Sequence, residues 1–141
     1  MIYLDTSVVL AQLLAEDRVP PARLWRESLV SSRLLQYETW TRLNARGLAA
    51  SHGEAARDVL ERIAFIELVP PVLERSLAPF PRPVRTLDAL HLASADFLRR
   101  EGVDLRLATY DERMAAAARA IGVRLFPLGA AGFSRGRGGG G

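Results

Sequence analysis

The chain has 141 residues, 49% hydrophobic and 25% charged, the composition of one globular domain and not of a disordered or fibrous chain. It contains neither cysteine nor lysine, which excludes disulfides, thiolate metal sites, cysteine nucleophiles, Schiff-base chemistry and the lysine of a phosphate-binding loop. The net charge of +3 is too small an excess to imply a nucleic-acid partner by itself.

The opening run Ile2-Tyr3-Leu4 predicts a buried strand, and after Thr6 the residues Val8, Val9, Leu13 and Leu14 recur at helical spacing. This start lacks the basic flank of a secretion signal, and the uncharged runs over 6–15 and 125–134 fall short of the ~18 residues that span a membrane, so a cytoplasmic protein is expected. Pro20-Pro21 breaks the chain, and Pro21 suits the first turn of a helix carrying Leu24, Trp25 and Leu29. A strand is expected over 29–32, a helix over 34–46 closed by Gly47, another over 54–63, and a strand through Phe65, Ile66, Leu68 and Val69 that stops before Pro70-Pro71.

The run Ala78-Pro79-Phe80-Pro81-Arg82-Pro83 is too proline-rich for helix or central strand and reads as a loop. Beyond it a helix is expected over 86–100, with Ala89, Ala93, Ser94 and Ala95 allowing close packing and Gly102 as the stop. A strand over 105–108, an alanine-rich helix over 111–121 ended by Gly122, and a last strand over 123–126 complete the pattern. Strands alternating with helices imply an α/β fold with a parallel sheet covered on both faces, here one domain over 1–128. Residues 129–141, with Arg135 and Arg137 among glycines, read as a flexible tail, for which phosphate contact and no role at all are both open.

Four carboxylates stand out by position. Asp5 follows the first strand, Asp111 lies just beyond the strand over 105–108, and Asp88 falls in the first turn of the helix after the proline loop. Ligands of open α/β sheets bind outside the carboxyl ends of strands, which is where Asp5 and Asp111 lie. Glu38 follows Leu34 by four and Leu35 by three, so its charge turns toward an apolar helix face and needs a partner there. Each acid also has a structural reading. Asp5 and Asp111 suit helix N-caps, Asp88 complements a helix N-terminus, and Glu38 can pair with Arg42 one turn on. Those readings explain placement without explaining convergence. Oxygen ligands with no cysteine, lysine or histidine pair match magnesium or manganese better than zinc.

Asp96, eight residues after Asp88, is displaced about 12 Å along the helix axis and is too far to share one ion directly. Glu112 reads as a first-turn dipole partner, His91 and His52 as packing and surface residues, and Trp25, Trp40 and Phe65 as core residues more than base-stacking platforms.

Asp5-Thr6-Ser7 after the opening strand, Glu38 within the segment 31–38, Asp88-Ala89-Leu90-His91-Leu92-Ala93-Ser94-Ala95, and Ala108-Thr109-Tyr110-Asp111-Glu112-Arg113-Met114 with Ala117 and Gly122 together resemble a PIN domain. The likeness is to the VapC-type ribonuclease toxins of bacterial toxin–antitoxin pairs, and it covers residues 1–128. It implies a three-layer α/β/α sandwich with a mostly parallel central sheet, and a Mg²⁺-dependent endoribonuclease in which Mn²⁺ can substitute. The family's catalytic acids map onto Asp5, Glu38, Asp88 and Asp111, with Asp5, Asp88 and Asp111 on the metal. An RNA substrate, a VapB-like antitoxin and a homodimer are implied as partners. Thr109 matches a position that commonly holds Ser or Thr, whereas Tyr110 stands where relatives often carry a basic or small residue. A PIN-like protein that binds RNA or a partner without cutting is the alternative. A phosphoacceptor receiver domain also clusters acids at strand ends, but its chemistry requires a lysine.

Overall fold

Ile2–Leu4 (β1) is a run of apolar residues that can be buried on both faces only in the middle of a sheet, and all three residues are fully buried there. The computed structural model describes residues 1–15 and 17–129; most of the tail expected over 129–141 lies outside the described residues. After β1 the chain forms α1 (Thr6–Leu14), a 3₁₀ turn (Ala22–Arg26), β2 (Leu29–Ser32), α2 (Arg33–Ala45), α3 (Ala49–Glu61), β3 (Ile63–Ile66) and α4 (Pro70–Leu77). It continues through α5 (Thr86–Arg100), β4 (Arg106–Ala108), α6 (Glu112–Ala120) and β5 (Arg124–Leu125). The five strands are all parallel, in the order β3-β2-β1-β4-β5.

Side chains alternate across β1 as strand geometry requires. Ile2 and Leu4 join Val8 and Val9 of α1, Leu35 of α2 and Leu60 of α3 in one core. Tyr3 enters the other core, with Leu92 and Ala95 of α5 and Met114, Ala117 and Ala118 of α6. The result is the expected three-layer sandwich, with helices on both faces of the sheet. No helix among the described residues is long and apolar enough to cross a membrane.

Three elements differ from the sequence expectation, each for a local reason. Leu24 and Trp25 lie in a five-residue 3₁₀ turn, because extended backbone at Glu27 ends it and hands Leu29 to β2. The third helix starts at Ala49 and includes Gly53, which lies against Trp40: a Cβ there would sit 3.5 Å from the indole. β3 ends at Ile66, and Pro70 and Pro71 open α4, since the first helical turn needs no amide donors from them.

Candidate active site

Strand order reverses at β1, with β2 and β3 to one side and β4 and β5 to the other. In open α/β sheets such a reversal opens a crevice at the carboxyl ends of the two flanking strands. Asp5 leaves β1 at that edge, and Thr109, Tyr110 and Asp111 leave β4 there. The Asp5 amide donates to the Ala108 carbonyl at 3.0 Å and ties the two exits together.

Asp5 is 5% exposed and occupies the N-cap position of α1, yet its side chain makes no capping bond. Its Oδ2 instead accepts hydrogen bonds from the Ser7 hydroxyl at 2.6 Å and the Thr109 hydroxyl at 2.8 Å. Those hydroxyls are themselves held by backbone. The Tyr110 amide donates to Ser7 Oγ at 3.1 Å and the Asp111 amide to Thr109 Oγ1 at 3.0 Å. Asp111 does cap its helix, its Oδ1 accepting from the Met114 amide at 3.0 Å. Each of these carboxylates thus keeps one oxygen without a protein donor among the described residues.

Glu38 projects from the middle of α2, and its partners are Thr6 and His91, not Arg42. Thr6 donates from its hydroxyl to Glu38 Oε1 at 3.0 Å, and His91 Nε2 stands 2.5 Å from the same oxygen. His91, 1% exposed on α5, packs as the sequence suggests, but it also bonds Tyr3 through Nδ1 at 2.7 Å. The imidazole lies edge-on to the Tyr3 ring, 5.8 Å between centroids. Its spacing three residues after Asp88 was the available signal, because that places both side chains on one face of α5.

Asp88, half-buried in the first turn of α5, makes no side-chain hydrogen bond among the described residues. Burial first, then the charges of Asp5 and Asp111 and, more weakly, Glu38, push its carboxyl from 3.8 up to about 6, with His91 opposing them. The charges of the other three acids singled out in the sequence therefore all bear on Asp88, from three other chain segments.

The sequence pattern of the PIN domain matches residues 2–120, a span that includes all four acids. The chain belongs to the PIN domain family. It is similar to Ribonuclease VapC46 of Mycobacterium tuberculosis, 36% identical over 126 residues that cover 86% of this chain and 93% of that protein. Ribonuclease VapC47 of the same organism is 32% identical over 129 residues, covering 86% and 93%. Ribonuclease VapC35, also from M. tuberculosis, is 29% identical over 135 residues, covering 93% and 99%.

In this PIN domain the unbonded oxygens of Asp5, Glu38, Asp88 and Asp111 suit a hard divalent cation, and such a charge would relieve the repulsion felt by Asp88. Among the described residues no three His, Asp or Glu side chains form a ready-made ligand cage.

Asp96 stands apart from this group. Its 1% exposed side chain accepts from Arg75 Nε at 3.1 Å and Arg99 at 2.6 Å, and forms an ion pair with Arg100 at 3.0 Å. Burial opposes its charge, but the Arg99 and Arg75 hydrogen bonds and the Arg100 charge prevail and hold the carboxyl below its usual range. Arg99 also donates to the Ile121 carbonyl at 3.0 Å, so the cluster ties α4 and α5 to the turn after α6. The i+3 and i+4 spacing of Arg99 and Arg100 was a signal for part of the cluster, whereas Arg75 and the turn at Ile121 lie on other elements.

Proposed function

We propose that this PIN-domain chain is a Mg²⁺- or Mn²⁺-dependent endoribonuclease, the toxin of a VapBC-type toxin–antitoxin pair. The observation that carries the reading is that the charges of Asp5, Asp111 and Glu38 all bear on Asp88, with Asp5 and Asp111 at the strand-order reversal, in a chain similar to named ribonucleases over most of its length. A bound divalent cation supplies Lewis acidity, activating water and taking up charge on the phosphodiester.

Asp5, Asp88 and Asp111 are assigned to hold the cation. The Ser7 and Thr109 hydroxyls fix Asp5 by its Oδ2, and the Met114 amide fixes Asp111 by its Oδ1, so the other oxygen of each is left without a protein donor among the described residues. Glu38 is assigned to the attacking water. Its Oε1 is held by Thr6 and His91, and Oε2 takes the proton as the water oxygen bonds to phosphorus and the phosphorus–oxygen bond to the leaving strand breaks. Arg18 donates to the Tyr110 carbonyl at 2.8 Å and lies 5.3 Å over that ring, which fixes a positive charge beside the β4 exit for a substrate phosphate.

The same reading gives the chain a VapB-like antitoxin, a homodimeric state and a cytoplasmic site of action. Brief expression in a bacterial host, with sequencing of newly formed RNA ends, tests it. Recurrent internal cleavage with wild type and none with Asp5→Asn is expected, and co-expression of the neighbouring gene's product should suppress the cleavage. Identical RNA ends in the two strains would overturn the ribonuclease reading.

A further inference from the structure

His91 is buried with both ring nitrogens engaged. The Ser32 amide donates to the Tyr3 phenol oxygen at 3.2 Å, and that oxygen lies 2.7 Å from His91 Nδ1. When the phenol donates to Nδ1, the ring N–H that faces Glu38 is at Nε2, which lies 2.5 Å from Oε1. Thr6 donates to the same oxygen, and no protein donor among the described residues reaches Oε2.

We propose that His91 is a positioning residue for Glu38: Tyr3 fixes its ring as the Nε2–H tautomer, and that N–H, with the Thr6 hydroxyl, locks the carboxylate so that only Oε2 faces the crevice. This inference rests on the ribonuclease reading and adds to it a histidine that touches neither substrate nor cation. The network is built for such a task. Ser32, whose amide starts it, also caps α2 by accepting from the Leu34 amide at 3.1 Å, so the group that orients the His91 ring also sets the start of the helix bearing Glu38. Tyr3 comes from β1, Thr6 from α1, Glu38 from α2 and His91 from α5, and the bonds between them join both layers of the sandwich behind one carboxylate. A glutamate side chain free on a helix samples several rotamers. Two donors on one oxygen remove that freedom before substrate arrives.

A purely structural cross-link predicts lost stability and unchanged turnover, whereas positioning predicts a loss in kcat with KM retained. The test measures kcat and KM for a short RNA with Mg²⁺, together with melting temperature, for wild type, His91→Leu, His91→Gln and Tyr3→Phe. His91→Leu is expected to lose roughly 10–100-fold in kcat, the usual range for a group that orients a site residue, with KM little changed. His91→Gln, whose amide can still donate to Glu38, should recover much of that loss, and Tyr3→Phe should fall between. A folded His91→Leu protein with wild-type kcat would overturn the proposal.

Nitrogen-15 NMR of the histidine rings gives a readout that needs neither activity nor a stable His91 variant. His91 should show protonated Nε2 and accepting Nδ1, and Glu38→Gln should shift its signals while leaving His52 unmoved. A His91 ring protonated on Nδ1 alone, or indifferent to Glu38→Gln, overturns the proposal. Wild-type protein that leaves RNA intact while the ring behaves as described overturns the ribonuclease reading and leaves the hydrogen-bonded arrangement standing.

Discussion

Replacing Asp88 with Asn removes one charge from the acidic group at nearly constant shape. The folded-state pKa of about 6 lies above the ordinary 3.8, so at intermediate pH the folded protein binds the proton more tightly than the unfolded chain does. Stability from this group is present below pH 3.8, is lost as pH rises toward 6, and stays lost above it. The full shift corresponds to about 3 kcal/mol, and solvent screening of a half-exposed carboxylate cuts that to about 1.5 kcal/mol. A carboxylate in the first turn of α5 recovers about 0.5 kcal/mol from the helix dipole. The net gain expected for Asp88→Asn near neutral pH without metal is therefore about 1 kcal/mol, or roughly 3 °C in melting temperature for a domain of this size.

Thermal unfolding followed by circular dichroism, in EDTA and across a pH series, measures it directly. The variant should melt above wild type near neutral pH, and the difference should shrink as pH falls through 6 toward 4, where Asp88 itself becomes neutral. Adding Mg²⁺ at ten times its Kd should stabilise wild type by about 1.4 kcal/mol and the variant by less. An Asp88→Asn protein that melts below wild type in EDTA near neutral pH would refute the reasoning. It would make Asp88 chiefly a helix-terminus residue.

Thr109→Val keeps the shape but removes the hydroxyl that donates to Asp5 and accepts from the Asp111 amide, so RNA turnover should drop roughly tenfold or more in a steady-state assay. Asp96→Asn leaves three arginines around a neutral side chain and should cost about 3 kcal/mol in urea unfolding, while kcat measured below the melting transition stays at the wild-type value. Gly122→Ala forces φ of +84° on a residue with a Cβ and brings that atom 3.2 Å from the Arg99 guanidinium, so it should lower stability by about 1 kcal/mol in the same urea assay.

The parts legible in the sequence were those coded locally. The apolar run at Ile2-Tyr3-Leu4 and the alternation of strands with helices gave the sandwich, and the acids after β1 and β4 follow from where those strands end. Pro70 and Pro71 were legible as a break but not as a beginning, because proline gives one local signal for both and only the packing of Val72 against the rest of the fold decides. The helix expected over 54–63 begins at Ala49 and carries Gly53, a poor helix former, against the Trp40 ring, a neighbour remote enough in the chain to leave no local signal. The hydrogen bonds behind the acids were hidden because their partners are remote in the chain. His91 lies 53 residues from Glu38 and 88 from Tyr3, and no window of periodicity spans that distance.

The central claim is that the four acids act together on RNA through a divalent cation. It is tested most directly by the cleavage rate of one defined RNA as a function of Mg²⁺, measured for wild type and for a folded Asp5→Asn variant. Wild type should show a rate that saturates with Mg²⁺ and vanishes in excess EDTA, and Asp5→Asn should be slower by roughly a hundredfold or more at every Mg²⁺ concentration. Cleavage that persists in excess EDTA, or an Asp5→Asn rate equal to wild type, would contradict the account.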